Sequence, residues 1–207
     1  MAIITISRGT FSGGKELAEC VAARLGYPVV SREEIVSTSP WFGIPVEKLT
    51  ATDQPPEFWN RLDEQRKAYM QLVQSGLCER GRTGNLVYHG HAAHILLPGV
   101  SHVLRVRVIA DMEYRVQAAM RDQKLGRQEA EAFIEATDRE RRDWVRFLYG
   151  VEWGDSSLYD LVLNLSHVSL EGACSTVAFM AKLEEFKPTP RSLAIMEELA
   201  CKKPAST

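Results

Sequence analysis

The sequence predicts an α/β fold built on a parallel sheet, and three observations carry that expectation. The run Ile3-Ile4-Thr5-Ile6 gives way to a glycine-rich loop, and then Leu17, Ala18, Val21, Ala22 and Leu25 recur as one apolar helix face. Four further short apolar or β-branched runs follow, separated by stretches of helical periodicity, so right-handed crossovers would make a five-stranded parallel sheet. With 207 residues, 45% of them hydrophobic, the chain can bury one good core.

Each element has a local reason. Gly26-Tyr27-Pro28 turns the chain into a second strand at Val29-Val30. Ser31 and Glu34 stand at capping-box spacing for a short helix through Ile35 and Val36. Alternatively, Arg32 faces a second substrate across the strand ends. Residues 38–56 are rich in Pro, Gly, Ser and Thr and read as a mobile connection. A long helix is expected over 57–77, burying Phe58, Leu62, Tyr69, Leu72 and Val73, followed by a basic turn with Arg80 and Arg82. Strand three is expected at 85–88, ending in His89-Gly90-His91. The fourth, over 102–109, carries Arg105 and Arg107 on one face, although a central parallel strand is normally apolar on both. Those arginines lie near the strand end, pair with acids, or face an anion.

Asp111 caps the next helix, whose apolar stripe is Met112, Val116, Ala119 and Met120, with Gly126 as its breaker. A second helix over 128–148 is expected to bury Ala130, Phe133, Ile134, Trp144, Val145 and Leu148. Residues 150–157 form a loop, 161–165 the fifth strand and 169–184 a closing helix. Residues 1–186 form a single domain. A Pro-punctuated tail, 187–207, contains one amphipathic piece over 193–199 that packs outside or frays.

The net charge of −2 argues against broad nucleic-acid binding, which needs a large basic excess. A reading as a nucleic-acid binder through Arg80, Arg82 and the arginines of the 128–148 helix therefore has weak support. The four cysteines form no C-x-x-C pair and read as reduced residues of a cytoplasmic protein. No apolar run approaches the ~20 residues of a membrane span, and no secretion leader is evident.

The chemistry concentrates at the first loop. Gly9, Gly14 and Lys15 fit G-x-x-x-x-G-K, and the intervening Thr10, Ser12 and Gly13 supply backbone N–H groups that can converge on a polyphosphate. Lys15 adds a compact positive charge near a transferring phosphate. Glu16 stands where a hydroxyl residue normally meets Mg²⁺; it is a solvated first-turn residue or an unusual metal ligand. Ligands of such sheets bind at the carboxyl ends of the strands, here 7–15, 31–34, 89–91, 110–111 and 165–167. On the charged helix, Arg139, Arg142 and Arg146 share one face. Arg141 instead shares the side of Trp144 and Leu148, so it meets an acid or a phosphate. The alternative is a solvent face laced with salt bridges.

Several of these segments together resemble the cytidylate-kinase-like group of P-loop nucleoside monophosphate kinases, over about residues 3–183. The carriers are Ile6-Ser7-Arg8-Gly9 through Gly13-Gly14-Lys15-Glu16, Val87-Tyr88-His89-Gly90-His91, residues 104–110, Thr137-Asp138-Arg139-Glu140-Arg141 and residues 158–164. The resemblance implies a three-layer P-loop kinase fold with strand order 2-3-1-4-5, a flap over 32–82 and a lid over 122–150. It implies ATP and Mg²⁺ as donor and a nucleoside monophosphate as acceptor. By position, Lys15 and the loop would hold the donor phosphates, and Arg139 and Arg142 would be the lid arginines. Arg115 and Arg121 would lie nearer the adenosine, while Arg32, Arg61, His89, Gly90 and His91 would face the acceptor. The chain departs from the group's pattern at Glu16, Ser31 and His89. Those departures motivate a second reading, a nucleotide-binding regulatory module with impaired catalysis.

Overall fold

The computed structural model describes residues 2–37, 63–90 and 93–201. Strands β1 (Ile3–Arg8), β2 (Val29–Ser31), β3 (Leu86–His89), β4 (Val103–Ile109) and β5 (Leu161–Asn164) form one parallel sheet in the order β2-β3-β1-β4-β5. The expected order is therefore observed. β1 lies at the centre, with Ile3 opposite Leu86 on one side and Val103 on the other, which explains why Ile3, Ile4 and Ile6 are all apolar.

Helices cover both faces. On one, α1 (Gly14–Leu25) and α7 (Leu170–Met180) press Leu17, Val21, Ala173 and Val177 onto Ile4, Ile6, Leu104 and Val106. On the other, α3 (Asp63–Arg80), α6 (Arg127–Tyr149) and α8 (Pro190–Cys201) bring Tyr69, Val73, Trp144, Leu148 and Met196 against Ile3, Leu86 and Tyr88. Short helices α2 (Arg32–Ser37) and α4 (Ala93–Leu96) follow β2 and β3, and α5 (Met112–Gln123) follows β4. Each fully buried aliphatic side chain of β1 contributes about 1.5–3 kcal/mol through removal from water.

Several expectations are corrected. Residues 190–201 are not an outer tail, because α8 buries Met196 and Leu199 in the main core beside α3. Phe133 is 47% exposed rather than buried, and its ring lies 6.1 Å from Phe11 of the glycine loop. The first helix of the pair ends with Lys124 in the left-handed conformation (φ 56°), while Gly126 is the N-cap of α6. Cys20 and Cys174 are not reduced: they form a disulfide between α1 and α7, with a Cα–Cα separation of 6.1 Å. The start of the long helix, including Phe58 and Leu62, lies outside the described residues, as does the 38–56 connection.

The two arginines of β4 resolve separately. Arg105 pairs with Asp160, whose carboxylate also accepts from the Arg105 backbone N–H at 2.7 Å. Arg107 lies over the rings of Trp153 (4.8 Å) and Tyr159 (5.4 Å) and donates to the Trp153 carbonyl. Trp153 Nε1 in turn donates to Ser7 Oγ at 2.7 Å, so this patch braces the carboxyl end of β1 from below.

His94 packs its ring 4.4 Å from that of Tyr159, and neither imidazole nitrogen has a hydrogen-bond partner. Burial, aided by Arg105 and Arg107, pushes its pKa down to about 4. Below pH 6.5 the unfolded chain therefore takes up a proton that the folded chain refuses, and stability falls as the pH drops from about 6.5 towards 4. The depression is worth about 3 kcal/mol. Urea denaturation at pH 7 and pH 4 should show His94→Leu losing less stability on acidification than the parent by about that amount.

Candidate functional site

The glycine loop leaves β1 at Arg8 and enters α1 at Gly14. Gly13, the N-cap, has φ 82°, and a Cβ there would lie 2.7 Å from Leu165 Cδ1. A Cβ on Gly14 would lie 2.5 Å from Arg8 Cβ, so both glycines are sterically required. Ser12 closes the turn by donating its hydroxyl to the Gly9 carbonyl at 2.9 Å. The first helical bond runs from Leu17 N–H to the Gly13 carbonyl. The N–H groups before it at the start of α1 have no intrahelical partner and stand at the positive end of the helix dipole. Lys15 is exposed and 3.8 Å from Glu19, and Glu16 is exposed in the first turn of α1.

A second element reaches the loop from above. Asp138 Oδ1, on α6, accepts from the Thr10 N–H at 3.0 Å and from the Thr10 hydroxyl at 2.6 Å. Its other oxygen pairs with Arg115 of α5, and Arg115 Nε donates to the Thr10 carbonyl at 2.8 Å. Arg141, one helical turn after Asp138, donates to Thr10 Oγ1 at 2.8 Å. Thr10 thus ties the loop to two helices through four hydrogen bonds on its N–H, hydroxyl and carbonyl. At Gly9, by contrast, a Cβ would make only ordinary contact with Arg115 and Asp138.

Around this knot stand three guanidinium groups within electrostatic reach of one another: Arg8, Arg32 and Arg141. Burial lowers the pKa of Arg141 to about 10, with Arg8 adding to the effect and Asp138 opposing it. Burial also lowers that of Arg8, against the pull of Glu33 and Glu16. Arg32 is held 3.1 Å from Glu33; there the desolvation cost is outweighed by Tyr69, Glu33 and Tyr88, so its pKa rises. His89 is buried and its pKa is lowered, first by desolvation and then by Arg8. Glu33, Glu16 and Asp138 offset part of the cost of placing these cations together. Among the described residues, no group of three or more His, Cys, Asp and Glu side chains forms a metal centre.

The residues expected at the site fall into three groups. Gly9, Thr10, Ser12, Gly13, Gly14, Lys15, Glu16, Arg32, Arg115, His89 and Gly90 lie at the carboxyl ends of the strands or in contact with the loop. Arg139 and Arg142 are exposed on α6, and Arg121 is exposed and paired with its neighbour Asp122 at 2.8 Å. Arg61 and His91 lie outside the described residues. Arg8, Asp138, Tyr69 and Tyr88 were not anticipated here. Arg8 carried a usable signal, as a cation directly between the first strand and Gly9. Asp138 and Arg141 carried another, as an acid and a base at i, i+3 spacing.

The sequence profile of the cytidylate kinase-like family matches residues 3–167. The cytidylate kinase of Pyrobaculum arsenaticum is 26% identical over 192 residues, covering 86% of this chain and 96% of that protein. The cytidylate kinase of Pyrobaculum aerophilum is 28% identical over 195 residues, with the same coverages of 86% and 96%. Among solved structures, an uncharacterized protein from Eubacterium ventriosum superposes with a TM-score of 0.70 at 18% identity, covering 87% of this chain and 97% of that one. That likeness establishes the shared fold.

The Thr10 knot predicts a specific stability loss. Asp138→Asn keeps the shape but removes the counter-charge of Arg115, whose side chain is only 13% exposed. Urea denaturation should show destabilisation of about 2 kcal/mol, and the loss should shrink in an Arg115→Met background.

Proposed function

The chain belongs to the cytidylate kinase-like family, and from that premise we propose that it moves the terminal phosphoryl group of ATP to the phosphate of a nucleoside monophosphate or a similar small acceptor. It is a phosphotransferase of the nucleotide-kinase type. The observation that carries the reading is the grouping of Arg8, Arg32 and Arg141 at the mouth of the glycine loop, with Lys15 beside it.

In this reading the loop amides from Gly13 onward and Lys15 cradle the donor phosphates. Arg141 and Arg8 neutralise charge on the equatorial oxygens as the phosphoryl group passes, and Arg32 holds the acceptor's phosphate. Little covalent work is asked of such an enzyme, so positioned cations supply most of the rate. Arg115 acts through Asp138 by holding Thr10, and with it the loop, in register. Arg139 and Arg142, exposed on the same helix, would join only if the acceptor or donor brought α6 closer. Glu16, an exposed carboxylate next to Lys15, is a hard oxygen ligand of the kind that would hold Mg²⁺ beside phosphates and water, and the ion would supply screening of the phosphate charge.

A coupled assay over a panel of monophosphates with ATP and Mg²⁺ tests the proposal. Turnover with at least one acceptor is expected, and Lys15→Ala should lower kcat by about 10²–10³-fold while the circular dichroism melt stays unchanged. ATP binding without turnover of any acceptor would instead support the regulatory module.

A further inference from the structure

One continuous stretch of chain grips the glycine loop on both sides of Gly9. On the far side Asp138 and Arg141 of α6 hold Thr10. On the near side Trp153 Nε1 donates to Ser7 Oγ at 2.7 Å, and the Tyr159 hydroxyl lies 3.3 Å from the same oxygen. Between these two grips α6 is seated in the core by Trp144, Val145 and Leu148, all of them buried. Gly150 then closes α6 in the left-handed conformation (φ 69°), and Arg146 Nε donates to Glu152 at 2.7 Å across the turn that brings Trp153 back to the sheet. Trp153 is buried and packs on Val145. Arg107, the neighbour of Ser7 across the β1–β4 register, lies over the rings of both Trp153 and Tyr159 and donates to the Trp153 carbonyl, which fixes the tilt of the indole. A buried indole packs well whatever its N–H does, but that N–H still needs an acceptor. Here the acceptor is the last side chain that β1 presents on this face before the glycine loop begins.

We infer that Trp153 is a positioning residue for the glycine loop: through Ser7 its N–H sets the pleat of the strand end from which Arg8 and the loop depart. Successive side chains of a strand point to opposite faces, so fixing Ser7 on one face fixes Arg8 on the other. There the stem of Arg8 is packed against the start of α1, since a Cβ on Gly14 would come within 2.5 Å of Arg8 Cβ and 2.8 Å of its Cδ. That packing leaves no slack between the two. A shift of Ser7 is therefore passed to Arg8 and to the first amides of α1, although Trp153 touches neither the loop nor any ligand of it. The two grips act on different bonds of the loop: Asp138 takes up the Thr10 N–H and hydroxyl, whereas Trp153 holds the strand that precedes Gly9. The part of the inference that concerns ATP rests on the phosphotransferase reading; the part that concerns the rigidity of the loop does not.

Two variants break the bond from its two ends. Trp153→Phe keeps an aromatic ring beside Arg107 and removes the N–H; Ser7→Ala, the smaller change, removes the acceptor. Hydrogen exchange read by mass spectrometry on the ligand-free protein reports on the loop directly. The peptide over 7–15 should exchange roughly three- to tenfold faster in each variant, the equivalent of one lost hydrogen bond, and no faster in the double variant than in either single one. Calorimetric titration with ATP and Mg²⁺ should show Kd raised by a similar factor, and KM for ATP should rise more than kcat falls. Ser192→Ala is the control, because it removes a buried hydrogen bond to His102 (2.8 Å) at the opposite end of the sheet. It should lower the melting temperature while leaving loop exchange and ATP affinity at parental values. Loop exchange at the parental rate in Trp153→Phe and Ser7→Ala overturns the inference. So does an equal loop response to Ser192→Ala, which would mark a general loss of stability, or faster exchange with an unchanged Kd in a protein that binds ATP. If no form binds ATP but loop exchange rises in the two variants alone, the proposed function falls and this role of Trp153 stands; normal turnover with an unresponsive loop would do the reverse.

Discussion

The carboxylate of Asp138 is the point on which the site depends. It accepts both the N–H and the hydroxyl of Thr10 while pairing with Arg115, and so it joins the glycine loop to α5 and α6. Without it Arg115 and Arg141 would still donate to Thr10, but the Thr10 N–H would lose its acceptor and Arg115 its counter-charge. A loop amide that bonds a carboxylate from α6 is also an amide that α6 can release. Asp138 and Arg141 therefore couple the geometry of the loop to the placement of α6.

The arginine cluster follows from the same arrangement. Three guanidinium groups near one another raise each other's energy, and burial adds to the cost, as the depressed pKa of Arg141 shows. Glu33 and Asp138 offset part of this, but Asp138 is already shared with Thr10 and Arg115. The remainder is held by the rest of the fold, chiefly the two-sided burial of β1 and the packing of α3, α6 and α8 on Tyr69, Trp144 and Met196.

The sheet, the loop and the helix faces were legible because each is written locally: alternation of apolar runs, glycines at fixed spacing, and 3.6-residue stripes. The family resemblance supplied the strand order. What was less legible depends on how elements meet. Arg139, Arg142 and Arg146 share a face by spacing, but the rotation of α6 is set by the burial of Trp144 and Leu148, and this turns Arg141 towards Thr10. Arg141's place on the apolar side was readable; its partner was not. The role of Arg115 depended on Asp138, which lies 23 residues further along the chain. Cys20 and Cys174 are 154 residues apart, and only the packing of α1 on α7 brings them together. Likewise, 193–199 had the right stripe, but the groove beside α3 that receives it has no signature of its own.

The phenols show why such features escape a linear reading. In sequence Tyr88 is an aromatic residue in a β-strand and Tyr69 one on an apolar helix stripe, both ordinary core choices. Phe would serve that packing equally well and would leave no polar atom stranded. The hydroxyl is informative only once burial is known and every neighbour has been accounted for. Burial then places the Tyr88 hydroxyl beside Gly90 and Arg32, while the Tyr69 hydroxyl meets Arg32. The departures at Ser31 and His89 are just as local in sequence and just as dependent on packing for their setting: burial and Arg8 both lower the pKa of His89, while Glu33 and Glu16 act on Arg8 from the acid side.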